Sequence, residues 1–153
     1  MTGFHGTRMT KVFFQLEPDA DGYPPVSVES VWATPGKAER EYVIDNIPFF
    51  EAEAALGDTI HVQEREGQLW FDRVVSRSEN SLIRIVFFDK SCVETVKSQL
   101  ESLGCSTEYL RQYDLLAVNV PSSANLADVQ AYLRSEERAG RIDSEEPILR
   151  RDG

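Results

Sequence analysis

The stretch Leu82–Gly104, LIRIVFFDKSCVETVKSQLESLG, decides the fold. Leu82–Phe88 is a continuous apolar run interrupted only by Arg84 and reads as a strand. Ser91–Leu103 then changes period. Val93, Val96, Leu100 and Leu103 are spaced three, four and three, which makes one apolar stripe on a helix. Ser91 with Glu94 reads as a capping box, and Gly104 is placed to end the helix at positive φ. Downstream, Cys105–Gln112 and Leu115–Val120 read as two short strands with Tyr113 and Asp114 between them. Asn125 opens a second helix running to Ala139, with Asp128 in its first turn and the stripe Leu126, Val129, Tyr132, Leu133. Gly140 stops it, and Pro147–Leu149 forms a weak last strand that the proline confines to an edge. The order is strand, helix, strand, strand, helix, strand. That order predicts a ferredoxin-like split βαβ sandwich, with Leu82–Phe88 and Leu115–Val120 central and both helices on one face. Such a fold hosts many unrelated activities, so it names an architecture only.

Upstream the pattern is β-rich. Lys11–Glu17, Val26–Thr34, Glu41–Ile47, Thr59–Gln63 and Gln68–Val75 read as five strands separated by Gly- and Pro-bearing turns. Val26, Val28 and Trp32 fall on one face of the second, which is expected to be the buried one. Phe49–Leu56 suggests a helical turn, and Arg65-Glu66-Gly67 a hairpin turn. The class is therefore α+β: a β-rich half at 11–77, a small barrel or curled sheet, then a linker at 78–81 and the ferredoxin-like half at 82–150. Residues 1–10 read as a flexible leader with no apolar signal region. The expected core is Val12, Phe14, Val28, Trp32, Ile44, Ile60, Trp70, Ile83, Ile85, Phe87, Val96, Leu100, Leu116, Val118, Val129 and Leu133.

At 153 residues the chain can bury a sizeable core, and its 41% apolar and 27% charged content is ordinary for a globular protein. The net charge is −10, with seven Lys/Arg against fourteen Asp/Glu in residues 1–80 and nine against twelve in 81–153. An acidic surface disfavours nucleic acid and suits either plain solubility or a basic protein partner. No apolar run approaches the roughly 20 residues of a membrane helix, so no membrane association is expected. Cys92 and Cys105 flank the first helix, beyond disulfide reach, and two unpaired thiols fit a cytoplasmic location.

The most distinctive motifs are DGYPPVSVESVWA at 21–33, YVIDNIPFF at 42–50, LGDTI at 56–60 and GQLWF at 67–71. In these the chain resembles a family of short, standalone bacterial proteins of unknown function. The resemblance implies a bacterial, cytoplasmic protein, of a kind that often serves as a partner or immunity factor, and it brings no activity with it. Read from the residues, Pro24-Pro25 holds the chain extended, and Asp45-Asn46 before Ile47-Pro48 can form an Asx-type turn. These polar residues either shape two tight turns or, as candidate binding residues, Asp21, Tyr23, Asp45, Asn46 and Phe49 surround one shared surface.

Catalytic and metal chemistry find little support. His5 and His61 have no Cys or His partner at ligand spacing, and no calcium loop, P-loop, dinucleotide fingerprint or nucleophile elbow is present. No metal, cofactor or catalytic residue is assigned. Cys92 near a helix start could carry a lowered thiol pKa, with His61 as a spatial base. The central strand LLAVNV lacks the aromatics of an RNA-binding sheet. The leading expectation is a non-enzymatic acidic protein-binding module, in its sharpest form an immunity or antitoxin-like protein covering a basic partner. The alternatives are a small-molecule sensor with its ligand between the halves and a cryptic enzyme.

Overall fold

The computed structural model describes residues 9–151, so most of the expected leader lies outside the described residues. The chain divides into two compact units between Ser78 and Glu79. The first holds β1 (Thr10–Gln15), β2 (Val28–Pro35), β3 (Glu41–Ile44), β4 (Thr59–Arg65) and β5 (Gln68–Ser76). Strand β1 thus starts inside the stretch read as leader. Sequential strands pair antiparallel, and a short parallel pairing of β1 with β5, Val12 to Leu69 and Phe13 to Trp70, closes the sheet into a ring. Inside it lie Val12, Phe14, Val31, Ala33, Ile44, Ile60 and Val62, all essentially without solvent contact. The rings of Phe14 and Phe71 stack at 4.6 Å between centroids. The β4–β5 hairpin turns through Glu66 and Gly67, both at positive φ (52° and 80°), as a two-residue turn matched to strand twist requires.

Three expectations for this unit are corrected. Strand β2 presents the opposite face: Glu29, Val31 and Ala33 point inward, while Val28 and Trp32 are 39% and 44% exposed. Sequence periodicity fixes which residues share a face but not which face is inside, and here a buried carboxylate decides it. Trp70 sits half-buried on the outside, in register with Phe13 and covered by the Arg65 guanidinium at 4.3 Å. Residues 49–56 form no helical turn, because their backbone amides serve side-chain acceptors instead.

The second unit holds β6 (Ser81–Phe87), α1 (Val93–Ser102), β7 (Ser106–Leu110), β8 (Leu115–Val120), α2 (Leu126–Arg138) and β9 (Ile142–Ile148). Its antiparallel sheet has the order β7-β8-β6-β9. Apolar β6 and β8 are central and β9 lies at an edge, as their composition anticipates. Ile83, Ile85, Phe87, Leu116 and Val118 pack with Val96 and Leu100 of α1 and Val129 and Leu133 of α2 in one core. Asn125 caps α2 by accepting the Asp128 N–H at 3.1 Å. Gly104 (φ 98°) ends α1, and a Cβ there would lie 3.2 Å from that of Ala124.

Two details differ from the sequence reading. The cap before α1 is Asp89, not Ser91. Its carboxylate accepts the N–H and the hydroxyl of Ser91 and starts a 3-10 turn at Lys90–Cys92 that leads into α1. Strand β9 begins five residues earlier than expected, at Ile142. Its polar residues face solvent from an edge, where alternation with apolar residues is not needed. The carboxylate of Glu137 on α2 accepts both the N–H and the hydroxyl of Ser144 on β9, at 3.1 and 2.6 Å. Beyond β9 the Arg151 guanidinium donates to the carbonyls of Pro121, Ser122 and Ala124 at 2.6–2.7 Å.

Cys92 and Cys105 form no disulfide, and both are buried. Burial pushes the Cys105 thiol up to about 11, with the Arg151 charge pulling the other way. An unfolded thiol loses its proton near 8.5, so this group favours the folded state below about pH 8.5 and progressively less as pH rises toward 11. The urea midpoint of the native chain should therefore fall over that window more steeply than that of Cys105→Ala. Parallel pH profiles for the two proteins would contradict the burial-driven shift.

Candidate binding surface

The most constrained local structure joins the two most distinctive sequence motifs. Alternation along β2 turns Glu29 inward with Val31 and Ala33, leaving it 9% exposed. A buried carboxylate is costly unless donors surround it. Three consecutive backbone amides supply them. Phe49 N–H donates to Oε2, and Phe50 and Glu51 N–H donate to Oε1 at 2.9 and 2.8 Å. Successive amides turned toward one point form an anion-binding nest, filled here by the protein's own side chain. Charge-assisted bonds of this kind are about twice as strong as neutral ones.

The same strand holds the start of that segment. Asp45 N–H donates to the Trp32 carbonyl at 2.8 Å, and the Asn46 side-chain oxygen accepts the Trp32 N–H. Asn46 also donates to the Ile47 carbonyl at 3.3 Å. Residues 45–51 are thus strapped along β2 at Trp32 and again at Glu29. Upstream, the Asp19 carboxylate accepts the N–H groups of Asp21 and Tyr23 at 2.9 and 3.0 Å and closes the turn before Pro24. The Tyr23–Pro24 bond is cis. The Tyr23 ring meets Phe50 edge-on, 6.2 Å between centroids. Of the five candidate residues, Asp45, Asn46 and Phe49 share the strap, and Tyr23 reaches it through Phe50. Asp21 stays in the 19–23 turn, exposed.

The outer side of β2 carries Val28 and Trp32, and Tyr23 in the preceding loop is 44% exposed. The Lys11 ammonium lies 5.3 Å from the centre of the Trp32 ring. Across β1 the outward row continues through Phe13, whose ring lies 5.5 Å from that of Trp70.

The sequence reading missed three acidic residues that shape this region: Glu29, Glu51 and Asp58. The signal for Glu29 was present, since it shares parity with Val31 and Ala33. Asp58 is fully buried and accepts the N–H groups of Ala55 and Ser78 at 2.9 and 2.8 Å. Glu51 is buried and accepts the Glu53 N–H at 2.7 Å. Burial raises its carboxyl above the usual range, and the charges of Glu53 and Glu29 add to the shift, while hydrogen bonds from the backbone at 53 and 52 oppose it. The expectation of a lowered thiol at Cys92 is corrected. Burial, with the nearby charges of Asp89 and Glu136, raises that thiol, and Cys92 Sγ donates to the Asp89 carbonyl at 2.9 Å. His61 has Asp72 as its partner. Among the described residues no group of three or more His, Cys, Asp or Glu side chains is arranged to hold a metal, and no helix is long and apolar enough to cross a membrane.

This architecture defines a strand-rich mixed α/β protein of two units and two sheets. The chain belongs to a family described as a domain of unknown function, DUF4265, whose model matches residues 29–144, from the buried Glu29 into β9. A crystal structure of a hypothetical protein from Neisseria gonorrhoeae is similar in fold, with a TM-score of 0.73 at 21% identity over 95% of this chain and 98% of that one. No curated protein matches.

Replacing Glu29 by alanine strands three amide donors in the interior, so a loss of about 3 kcal/mol or more is expected in urea unfolding. A loss under about 1 kcal/mol would show that water replaces the carboxylate. Glu51→Gln tests the raised carboxyl. A raised carboxyl favours folding at pH below its unfolded value and is unfavourable once ionised. The glutamine variant should therefore melt higher than the native chain at pH 7, with the difference shrinking toward pH 4.

Proposed function

We propose that this chain is a non-enzymatic protein-binding module with an acidic surface that covers a basic partner. Its most concrete form is an immunity or antitoxin-like protein acting in the bacterial cytoplasm. The observation that carries the reading is the pairing of exposed anchors with rigid support. Tyr23 and Trp32 are each 44% exposed, yet their backbones are fixed by Asp19, Asp45 and Asn46. Tryptophan and tyrosine are enriched among the few residues that dominate binding energy at protein interfaces, and anchors already held in place lose little entropy on docking. Asp21 and Asp45 stand exposed in the two adjoining loops, and the net charge of −10 would draw in a basic surface. Association would proceed by electrostatic steering and then by seating of the two rings, occluding whatever basic surface they cover.

We infer further that the second unit is ferredoxin-like. The reading is supported by its strand, helix, strand, strand, helix, strand order and by the sheet order β7-β8-β6-β9. Its helices and central strands pack in one apolar core, which suits a scaffold role.

Affinity capture from the source bacterium, at low and high salt, tests the proposal when native chain and variants are run together. A basic protein should be retained at low salt and released at high salt. Trp32→Ala should weaken its capture about tenfold or more with the fold intact by circular dichroism, as expected for an interface anchor. Asp21→Asn with Asp45→Asn should flatten the salt dependence. Equal capture by native chain and Trp32→Ala, or no basic partner at low salt, would overturn the reading.

A further inference from the structure

Strand β7 is a border of the second unit's sheet, and among the described residues it pairs with β8 alone. Alternate residues of a strand turn their N–H and C=O groups to opposite edges, so about half of the β7 backbone groups point away from β8. Natural borders are usually blunted by a proline, a bulge, an inward charge or a covering segment. β7 contains no proline, and its register against β8 runs unbroken from Ser106 opposite Asn119 to Leu110 opposite Leu115. Ser106 and Glu108 are exposed, and Thr107, Tyr109 and Leu110 half-buried, so the described chain leaves this border open to solvent.

Side-chain bonds hold the open strand in place. The Thr107 hydroxyl donates to the Glu101 carboxylate at 2.8 Å, and the Tyr109 hydroxyl donates to that of Asp114 at 2.6 Å. The Tyr109 ring also meets Phe87 edge-on, 6.4 Å between centroids. A border that is already ordered loses little further entropy when a strand is added to it. Carboxylates flank it on both sides. Thr107 and Tyr109 share one side, where Glu101 stands, and Glu108, the middle residue, projects to the other. Of the nearby cations, Arg111 follows the strand's end and Lys90 pairs with Asp114 at 3.0 Å. A second copy is therefore a poor occupant. Two-fold antiparallel pairing along the whole strand would set Glu108 directly against Glu108, and like charges directly opposite are destabilising. A strand bearing a cation at that position is the complement.

We propose that β7 takes up an extended segment of another protein as a fifth strand, with a lysine or arginine of that segment opposite Glu108. In strand addition the main-chain hydrogen bonds supply the attachment, and the side chains along the border supply the choice of partner. The site lies in the second unit and does not rest on the reading of Trp32 as an anchor.

The test titrates the full 15N-labelled chain with acetyl-KVKVKVK-amide, with acetyl-EVEVEVE-amide, and with the lysine peptide N-methylated at every backbone amide, which keeps its charge and loses its donors. Saturable amide shifts at Ser106–Leu110, with slower hydrogen exchange there, are expected with the lysine peptide and with neither of the others. Glu108→Gln, at an exposed position, should weaken binding about two- to fivefold, the size of an exposed ion pair. Glu108→Lys should reverse the preference and take the glutamate peptide over the lysine one. Equal binding of the methylated peptide, shifts scattered over the acidic surface, or unchanged affinity for the lysine peptide in Glu108→Lys would overturn the proposal. So would concentration-dependent shifts at β7 without peptide, which would make a second copy the occupant. A negative result leaves capture by Trp32 unaffected, and loss of that capture would leave the β7 border standing.

Discussion

The carboxylate of Glu29 decides how the first unit is built. It lies within the sheet ring on an otherwise apolar strand face, where an unpartnered charge would be untenable. Its partners come from about twenty residues downstream, so the burial of Glu29 depends on residues 49–51 being in place. Once Glu29 is inward, Val31 and Ala33 follow into the core, and Val28 and Trp32 are forced out. The exposed tryptophan is therefore a consequence of the buried acid. One carboxylate held by three backbone amides goes with the choice of face, and hence with the outer surface, of β2.

Legibility in the sequence follows from the range of the forces involved. The second unit could be read almost element by element because its signals are local. The stripe Val93, Val96, Leu100 and the Asn125 cap each act within a few residues. The short hairpin at Glu66-Gly67 was legible for the same reason. The face of β2 was not, since a glutamate counts as a solvent residue until its distant amide donors are known. The irregular course of residues 49–56 was hidden likewise, because its amides answer to Glu29 and Asp58 rather than to their own neighbours. Asp89 displaced Ser91 as cap for a subtler reason: both can accept, and the carboxylate accepts more strongly. Of the candidate binding residues, the sequence brought out the strap members Asp45, Asn46 and Phe49 but gave no view of what tied them to β2.

The distinctive motifs gain a common physical meaning. DGYPPVSVESVWA and YVIDNIPFF are two sides of one hydrogen-bonded assembly, joined at Trp32 and Glu29. LGDTI supplies the Leu56 carbonyl and the Asp58 carboxylate that receive Ser78 at the end of the first unit. GQLWF contains the positive-φ glycine of a tight turn. Much of what makes the sequence recognisable is thus scaffold. The side chains with chemistry to spare are those that the scaffold turns outward.

The Glu137 carboxylate, which occupies the Ser144 N–H, has a consequence for how copies of the chain behave in a crowded solution. Strand β9 is a border of its sheet, and a bare border invites a foreign strand to add itself. Such addition needs a row of unoccupied donors. Along β9 one donor is already taken by a side chain from α2, and another is absent at Pro147. Asp143, Glu145 and Glu146 also place like charges where a second copy would have to approach. The sheet is thereby closed to a further strand on this side, and self-association into fibrils through this border is opposed by the same acidic residues that set the overall charge.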